Sequence, residues 1–210
     1  MDAGEASAKT PSERLAQRRL LRRSLVERRL ELSAETCAAH ARRIRQLLAR
    51  DFPQLATMRV AFCWPVQNEP DLRPLLTAWL LAGDVRFRAL LPVVQAEAAP
   101  LAFRAWTPAT VLTPDRYGIP TPADGAFLTP EALLLPVNGF DAAGYRLGYG
   151  GGFFDRTLAA LAAAARRQGQ PPPLAIGVGY ELARVPSIAP EAHDLPLAAM
   201  VTEAGVFTPR

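Results

Sequence analysis

The sequence predicts an α/β fold: a three-layer, open, mixed but mostly parallel sheet with helices on both faces, preceded by an N-terminal helical segment. Short apolar runs that suit buried strands alternate with longer segments of helical periodicity. A proline-rich connection within residues 85–106 resembles a hairpin, so the sheet should contain an antiparallel pair. The 210 residues, half of them hydrophobic, can bury one core, so we expect a single domain over residues 1–210.

Two helices are predicted at the start of the chain. Thr10 can cap a helix that begins with a proline and carries Glu13 at its third position, which is a capping-box arrangement. Leucines then recur at roughly helical spacing, with arginines on the other faces. Ser33 can start the second helix. We expect residues 1–9 to form a disordered tail.

The rest of the chain alternates strands and helices. Residues 107–130 are rich in Pro, Thr and Gly without periodicity, which predicts a long loop, and loops of that length are more often functional than idle. Strands are predicted at residues 58–64, 85–94, 101–106, 133–136, 174–180 and 200–202, and helices at residues 72–82 and 153–167.

Composition and charge exclude several classes of protein. No long uncharged apolar run could span a membrane, and the first residues lack the apolar stretch of a signal peptide, so a cytoplasmic location is expected. Cys37 and Cys63 lack metal-binding spacing, which indicates reduced core thiols. Residues 1–50 hold eleven arginines and one lysine against six acids. This basic third could serve nucleic acid, anionic lipid or anionic small molecules, or be a solvated helical face.

The strongest functional signal is a glycine cluster between a predicted strand and a predicted helix. After Pro136 the chain reads VNGFDAAGYRLGYGGGFFDR. Glycines allow positive φ and close approach of backbone N–H groups, and the following helix dipole attracts anions. The stretch has neither the lysine of a Walker A motif nor strict dinucleotide-binding spacing. It predicts a phosphate cradle of another type. The alternative is a tight turn before the helix, where glycine is needed only for steric reasons.

Two charged side chains beside the glycines favour the phosphate interpretation. Arg146 can pair bidentately with phosphate oxygens. Asp155, in the first turn of the helix, either complements the helix dipole or meets a magnesium ion that bridges phosphates. A carboxylate beside a phosphate cradle is unfavourable unless a cation lies between them, which favours the metal.

These motifs resemble those of the 5-formyltetrahydrofolate cyclo-ligases, also called methenyltetrahydrofolate synthetases. RLGYGGGFFDR, preceded by PVNGFDAAG, is similar to the family signature. Weaker blocks occur in the family's order and cover most of residues 18–203: RRLLRR with LSAE, AFCWPVQNEPDL, RYGIPTP and HDLPLAAMVTE. The resemblance implies a Rossmann-like or NagB-like sheet.

The resemblance also implies a reaction, the ATP- and magnesium-dependent conversion of 5-formyltetrahydrofolate to 5,10-methenyltetrahydrofolate with release of ADP and phosphate. The γ-phosphoryl group passes to the formyl oxygen, N10 of the folate attacks the formyl carbon, and phosphate leaves as the ring closes. Nucleophile and electrophile belong to the substrates, so catalysis consists of positioning and charge stabilisation. The implied partners are ATP and the folate, with Mg²⁺ as cofactor and no nucleic acid or membrane. A monomer or weak homodimer is expected.

Carried over by position, the family motifs assign residues to each substrate. The ATP set is Arg18 (usually lysine in the family), Arg22, Arg146, Leu147, Gly148, Tyr149, Gly150, Gly151, Gly152, Phe153 and Phe154. The folate set is Trp64, Glu69, Tyr149, Gly150, Gly151, Gly152 and Phe153, with Glu69 accepting pterin N–H groups. The implied catalytic residues are Arg146, Gly150, Gly151 and Gly152, and the implied magnesium ligands are Asp155 and Asp194.

Each of these assignments has a structural alternative. Glu69 could cap a helix, Trp64 could be a core residue, and Arg18 and Arg22 could lie on a solvated helix face. Two other functions also remain open. One is a nucleic-acid-binding module that uses the N-terminal arginines. The other is a homologue that keeps the ATP loop but acts on a different substrate.

Overall fold

A computed structural model of the protein describes residues 10–191 and 194–209. The expected tail at residues 1–9 lies outside the described residues. No helix in these ranges is both long and apolar enough to cross a membrane. The helices are α1 (Pro11–Leu30), α2 (Ala34–Asp51), α3 (Arg73–Ala82) and α4 (Phe153–Arg167), with 3-10 helices at Pro53–Thr57 and Glu181–Ala183. The strands are β1 (Arg59–Ala61), β2 (Arg88–Val93), β3 (Ala102–Trp106), β4 (Leu112–Pro114), β5 (Pro120–Pro122), β6 (Ala132–Pro136), β7 (Gly139–Phe140), β8 (Arg146–Leu147), β9 (Leu174–Val178), β10 (Ala199–Thr202) and β11 (Gly205–Phe207).

Seven strands form the main sheet, in the order β11-β10-β9-β6-β1-β2-β3. The five central strands are parallel to one another. The two edge strands, β3 and β11, run antiparallel to β2 and β10. The predicted mixed, mostly parallel sheet is therefore confirmed, and the predicted antiparallel pair is β2 with β3.

Helices cover both faces of the sheet. Successive residues of a strand point to opposite faces, so β6 contributes Leu134 to one core and Leu133 to the other. The first core also contains residues of α2 and α3, such as Leu48 and Leu76. The second contains Leu158 of α4. The three-layer prediction is confirmed.

The inward face of α1 combines arginines with apolar residues such as Leu25. Thr10 and Glu13 form the predicted capping box at the start of this helix. Further along, Arg18 and Arg29 are buried, and Arg22 is partly buried on the same face. A buried guanidinium needs hydrogen-bond acceptors, so α1 packs against groups that provide them. Those groups lie in the loops at the carboxyl edge of the sheet, as described below.

Three short pairings were not predicted. Residues 107–130 are not entirely a loop, because β4 and β5 form an antiparallel hairpin within them. Prolines in this ribbon lack N–H donors and so give a loop signal in the sequence, although an edge ribbon tolerates them. The pair β7–β8 and the edge strand β11 have only two or three residues each. Strands of that length give no periodic pattern.

Candidate active site

The candidate residues meet at the carboxyl edge of the parallel strands. Parallel strands end on the same edge of a sheet, and ligands of open α/β folds bind there. The segment after β1 leads to Glu69, and the segment after β6 leads through β7 and β8 to the glycine loop, defined here as residues 148–152. The segment after β9 contains Tyr180, and α1 packs against the 3-10 helix that follows it.

The glycine loop requires glycine at two positions. Gly150 has φ +97° and Gly152 has φ +64°, in the region that other residues rarely adopt. Gly152 is the N-cap of α4, and no side chain caps this helix. The N–H groups of the first helical turn lack intrahelical acceptors, so the loop and the helix start together can accept an anion.

Two arginines donate hydrogen bonds to backbone carbonyl groups of the glycine loop. Arg22 Nε donates to the Gly148 carbonyl at 2.5 Å. The guanidinium of Arg22 lies 3.3 Å from the place where a Cβ of residue 150 would be. Arg156 Nη2 donates to the Gly151 carbonyl at 2.7 Å. Burial lowers the pKa of Arg22, and so do the neighbouring Arg18 and Arg19 charges. This excess of positive charge beside the loop favours an anionic ligand.

Arg146 and Asp155 form an ion pair at the start of α4. Arg146 Nη2 lies 2.9 Å from Asp155 Oδ1. The two groups are not aligned for a hydrogen bond, so this buried oxygen has a charge partner but no hydrogen-bond donor within the described ranges. A buried carboxylate oxygen that lacks a donor can be satisfied by a divalent cation.

Arg18 and Asp194 are also paired with each other. The Arg18 guanidinium donates to both carboxylate oxygens, at 2.5 and 3.2 Å, and both side chains are buried. Arg18 donates further to the Ala189 carbonyl at 3.1 Å. Asp194 Oδ2 accepts the Glu191 N–H at 2.8 Å. The predicted phosphate-binding arginine and the predicted metal ligand thus stabilise one another.

The two predicted magnesium ligands each face their own arginine. Across residues 10–191 and 194–209, no three His, Cys, Asp or Glu side chains are grouped so as to hold a metal. Mg²⁺ is commonly bound by only one or two carboxylates together with substrate phosphates and water. The residues present fit that arrangement through Asp155, whose Oδ1 has no hydrogen-bond donor among the residues that the structure describes.

Glu69 and Tyr149, the polar residues of the predicted folate set, are in direct contact. The Tyr149 hydroxyl donates to Glu69 Oε1 at 2.6 Å, and the Val66 N–H donates to Oε2 at 3.1 Å. Burial raises the pKa of Glu69, while Tyr149 and the Arg29 charge act in the opposite direction. Burial and the Glu69 charge raise the pKa of Tyr149, so its hydroxyl keeps the proton that it donates. The N-cap of α3 is Leu72, so Glu69 does not cap that helix.

The aromatic members of the predicted sets are divided between surface and core. Trp64 is partly buried against the first core, with the Arg73 guanidinium 4.4 Å from its ring centroid. Phe153 meets Tyr117 of the β4–β5 hairpin edge to face, at 6.0 Å between ring centroids. Phe154 packs against the second core. The hairpin thus reaches the start of α4, directly after the glycine loop. Phe153, not Phe154, faces the hairpin.

Sequence reasoning missed Arg29, which joins three parts of the site. Its guanidinium donates to the Gln67 carbonyl at 2.8 Å, to Asn138 Oδ1 at 2.8 Å and to the Tyr149 hydroxyl at 2.9 Å. Residues 18, 22 and 29 recur at helical spacing, and that signal could have placed them on one inward face. Arg156, the second arginine on the loop, was missed as well.

Comparisons with known proteins agree on one family. The sequence pattern of the 5-formyltetrahydrofolate cyclo-ligase family matches residues 14–203. The 5-formyltetrahydrofolate cyclo-ligase of Escherichia coli (strain K12) is 32% identical over 161 residues, which cover 74% of this chain and 83% of that one. The cyclo-ligase of Mycolicibacterium smegmatis is 33% identical over 147 residues, covering 66% and 70% of the two chains.

Solved structures extend the agreement to the fold. The 5,10-methenyltetrahydrofolate synthetase of Aquifex aeolicus has a TM-score of 0.74 at 27% identity, covering 92% of this chain and 93% of that chain. The synthetase of Mycoplasma pneumoniae, at 20% identity and a TM-score of 0.68, supports the fold alone. The family pattern takes in the arginines of α1, Glu69, the glycine loop and Asp194. The chain belongs to the 5-formyltetrahydrofolate cyclo-ligase family.

Proposed function

We propose that this protein converts 5-formyltetrahydrofolate to 5,10-methenyltetrahydrofolate, using ATP and Mg²⁺ and releasing ADP and phosphate. The relatives are named as enzymes of this reaction. The observation that carries the proposal is the double role of the glycine loop. Arg22 holds Gly148 at the anion-accepting side, while the next residue, Tyr149, contacts the buried Glu69. In this proposal, one loop would border both the phosphates of ATP and the carboxylate that binds the pterin.

On the ATP side, the proposed contacts are backbone N–H groups and guanidinium groups. The glycines of the loop and the uncapped start of α4 would donate to phosphate oxygens. Arg22 borders the loop, with its guanidinium 3.3 Å from the Cβ position of residue 150. Arg146 is buried and paired with Asp155. These groups would stabilise the negative charge on the phosphoryl group during its transfer.

On the folate side, Glu69 and Tyr149 would orient the pterin. The carboxylate has one oxygen on Tyr149 and the other on a backbone N–H, and each oxygen has lone pairs left for pterin N–H groups. Trp64, Phe153 and the hairpin residue Tyr117 would supply apolar walls that exclude water. Holding the formyl oxygen in line with the γ-phosphate, and N10 near the formyl carbon, is then mainly a matter of positioning.

Asp155, with Asp194 as the second carboxylate, would hold the magnesium ion. When bound, the ion would neutralise phosphate charge and so allow a carboxylate to lie beside the cradle.

In our proposal one chain contributes every site residue, so a monomer or weak homodimer suffices. We also propose a cytoplasmic location and no nucleic-acid partner.

The test is a coupled measurement with purified protein. Protein, MgATP and 5-formyltetrahydrofolate are mixed, methenyl product is followed by its absorbance, and ADP is measured in parallel. We expect equal amounts of both products, and neither when ATP or Mg²⁺ is left out. ATP-dependent turnover of another folate, with none of 5-formyltetrahydrofolate, would favour the homologue with a different substrate. No turnover of any folate would overturn the proposal.

A further inference from the structure

Arg29 is a buried residue whose contacts the proposed reaction does not explain. Only 4% of it is exposed, and its guanidinium donates to three different segments. These are the turn after β1 (Gln67), the segment after β6 (Asn138) and the glycine loop (Tyr149). Carbonyl groups would be enough to satisfy a purely structural arginine. Here one acceptor is the hydroxyl of Tyr149, a residue that is 47% exposed and lies at the candidate site.

The hydrogen bonds between these residues have a fixed direction. A tyrosine hydroxyl carries one hydrogen, and that of Tyr149 is donated to Glu69 Oε1 at 2.6 Å. The Tyr149 hydroxyl oxygen in turn accepts a hydrogen bond from Arg29 Nη2 at 2.9 Å. An arginine can only donate, so the chain of bonds runs from the guanidinium through the hydroxyl to the carboxylate. Arg29 therefore sets the orientation of Tyr149, and Tyr149 sets that of Glu69.

The backbone before Glu69 is held by the same end of α1. Gln67 and Asn68 both have positive φ, +49° and +61°, which is uncommon for residues other than glycine. Arg29 Nε donates to the Gln67 carbonyl. The side-chain amide of Asn68 donates back to the Arg29 carbonyl at 3.4 Å. These reciprocal bonds keep the turn in its unusual conformation. The position of Glu69, the next residue, thus depends on α1.

We propose that Arg29 is a positioning residue for the folate side of the site. It holds the Tyr149 hydroxyl and the Glu69 carboxylate in the arrangement that meets the pterin, without touching the substrate itself. On the same helix, Arg22 holds the carbonyl of the preceding loop residue. α1 therefore fixes the nucleotide and folate sides of the loop through separate arginines. This inference rests on the proposed function.

The test separates the two substrates kinetically. Arg29→Gln should raise KM for 5-formyltetrahydrofolate roughly 10- to 100-fold, the effect of losing hydrogen bonds to a charged group. KM for ATP should stay within about threefold, because Arg22 and the glycines are unchanged. Tyr149→Phe should raise the folate KM similarly. The double variant should be no worse than the more impaired single variant, since both changes break one chain of bonds.

Arg28→Gln is the matched control, because Arg28 lies next to Arg29 on α1 but is exposed. It should have wild-type KM values for both substrates. Arg29→Lys keeps the charge but cannot serve three acceptors, so it should also raise the folate KM. If thermal melting shows that Arg29→Gln does not fold, the comparison is made with Arg29→Lys.

Each failure has its own signature. Wild-type protein without ATP-dependent product would refute the proposed function. An active wild type whose Arg29 variants keep the wild-type folate KM would refute the positioning role alone. If the rises in folate KM caused by Arg29→Gln and Tyr149→Phe multiply in the double variant, the chain of bonds is refuted. Equal rises of KM for ATP and for folate would show a general structural role instead.

Discussion

Gly150 and Gly125 form a matched pair for testing whether the glycine loop binds phosphate. Both have strongly positive φ, +97° and +106°, and both would be strained by any side chain. An alanine at position 125 meets nothing within 4 Å, whereas one at position 150 meets the Arg22 guanidinium at 3.3 Å. Each substitution should lower the free energy of unfolding by about 1–2 kcal/mol, from backbone strain alone.

The two variants should differ in activity. In Gly150→Ala the added methyl group lies in the concavity where phosphate oxygens would approach and displaces Arg22, which touches it. The 3.3 Å contact requires Arg22 to shift by a few tenths of an ångström. A displacement of about 1 Å near a reacting group costs up to about 100-fold in rate, so we expect kcat/KM for ATP to fall roughly tenfold. Gly125→Ala should keep wild-type kinetics. Urea unfolding and initial rates at varied ATP provide the comparison. Equal kinetics in the two variants would refute the cradle.

Three further predictions concern the carboxylates. Asp155→Asn should lower the rate about 100-fold or more and raise the magnesium concentration needed for half-maximal rate; an unchanged magnesium titration would contradict a metal role. Asp194→Asn leaves Arg18 buried without its anion and should lower the free energy of unfolding, measured in urea, by about 3–5 kcal/mol. A loss below about 1 kcal/mol, as for an exposed pair, would contradict a buried Arg18–Asp194 ion pair. Glu69 has a raised pKa in the folded state, so its contribution favours folding at low pH and is lost as pH rises through that pKa. The stability of Glu69→Gln relative to wild type should therefore increase as the pH rises above 4.5, the ordinary pKa of this carboxyl group; a difference that does not change with pH would contradict the raised pKa.

Local signals in the sequence predicted the elements that depend on local chemistry. Thr10 and Glu13 form the expected capping box at the start of α1. The glycine loop follows its strand and starts α4 as predicted, with positive φ at Gly150 and Gly152. In each case a residue type and its immediate neighbours decide the conformation, so a single sequence suffices.

Contacts between distant segments could not be predicted in the same way. Helical spacing could place Arg29 on the inward face of α1, but it could not identify the acceptor Asn138, which is 109 residues away. Arg18 and Asp194 were expected to meet ligands, whereas the folded chain also pairs them with each other. The side-chain partners of a charged residue depend on how the sheet brings its loops together. The spacing of residues along the chain does not reveal those contacts.

The most direct test of the account follows the formyl oxygen of the folate. 5-Formyltetrahydrofolate labelled with ¹⁸O in the formyl group is converted with unlabelled ATP, and the released phosphate is analysed by mass spectrometry. If the phosphoryl group passes to that oxygen before the ring closes, one ¹⁸O atom will appear in each phosphate formed with methenyl product. Methenyl product accompanied by unlabelled phosphate would contradict the proposed transfer between the two substrates at the glycine loop.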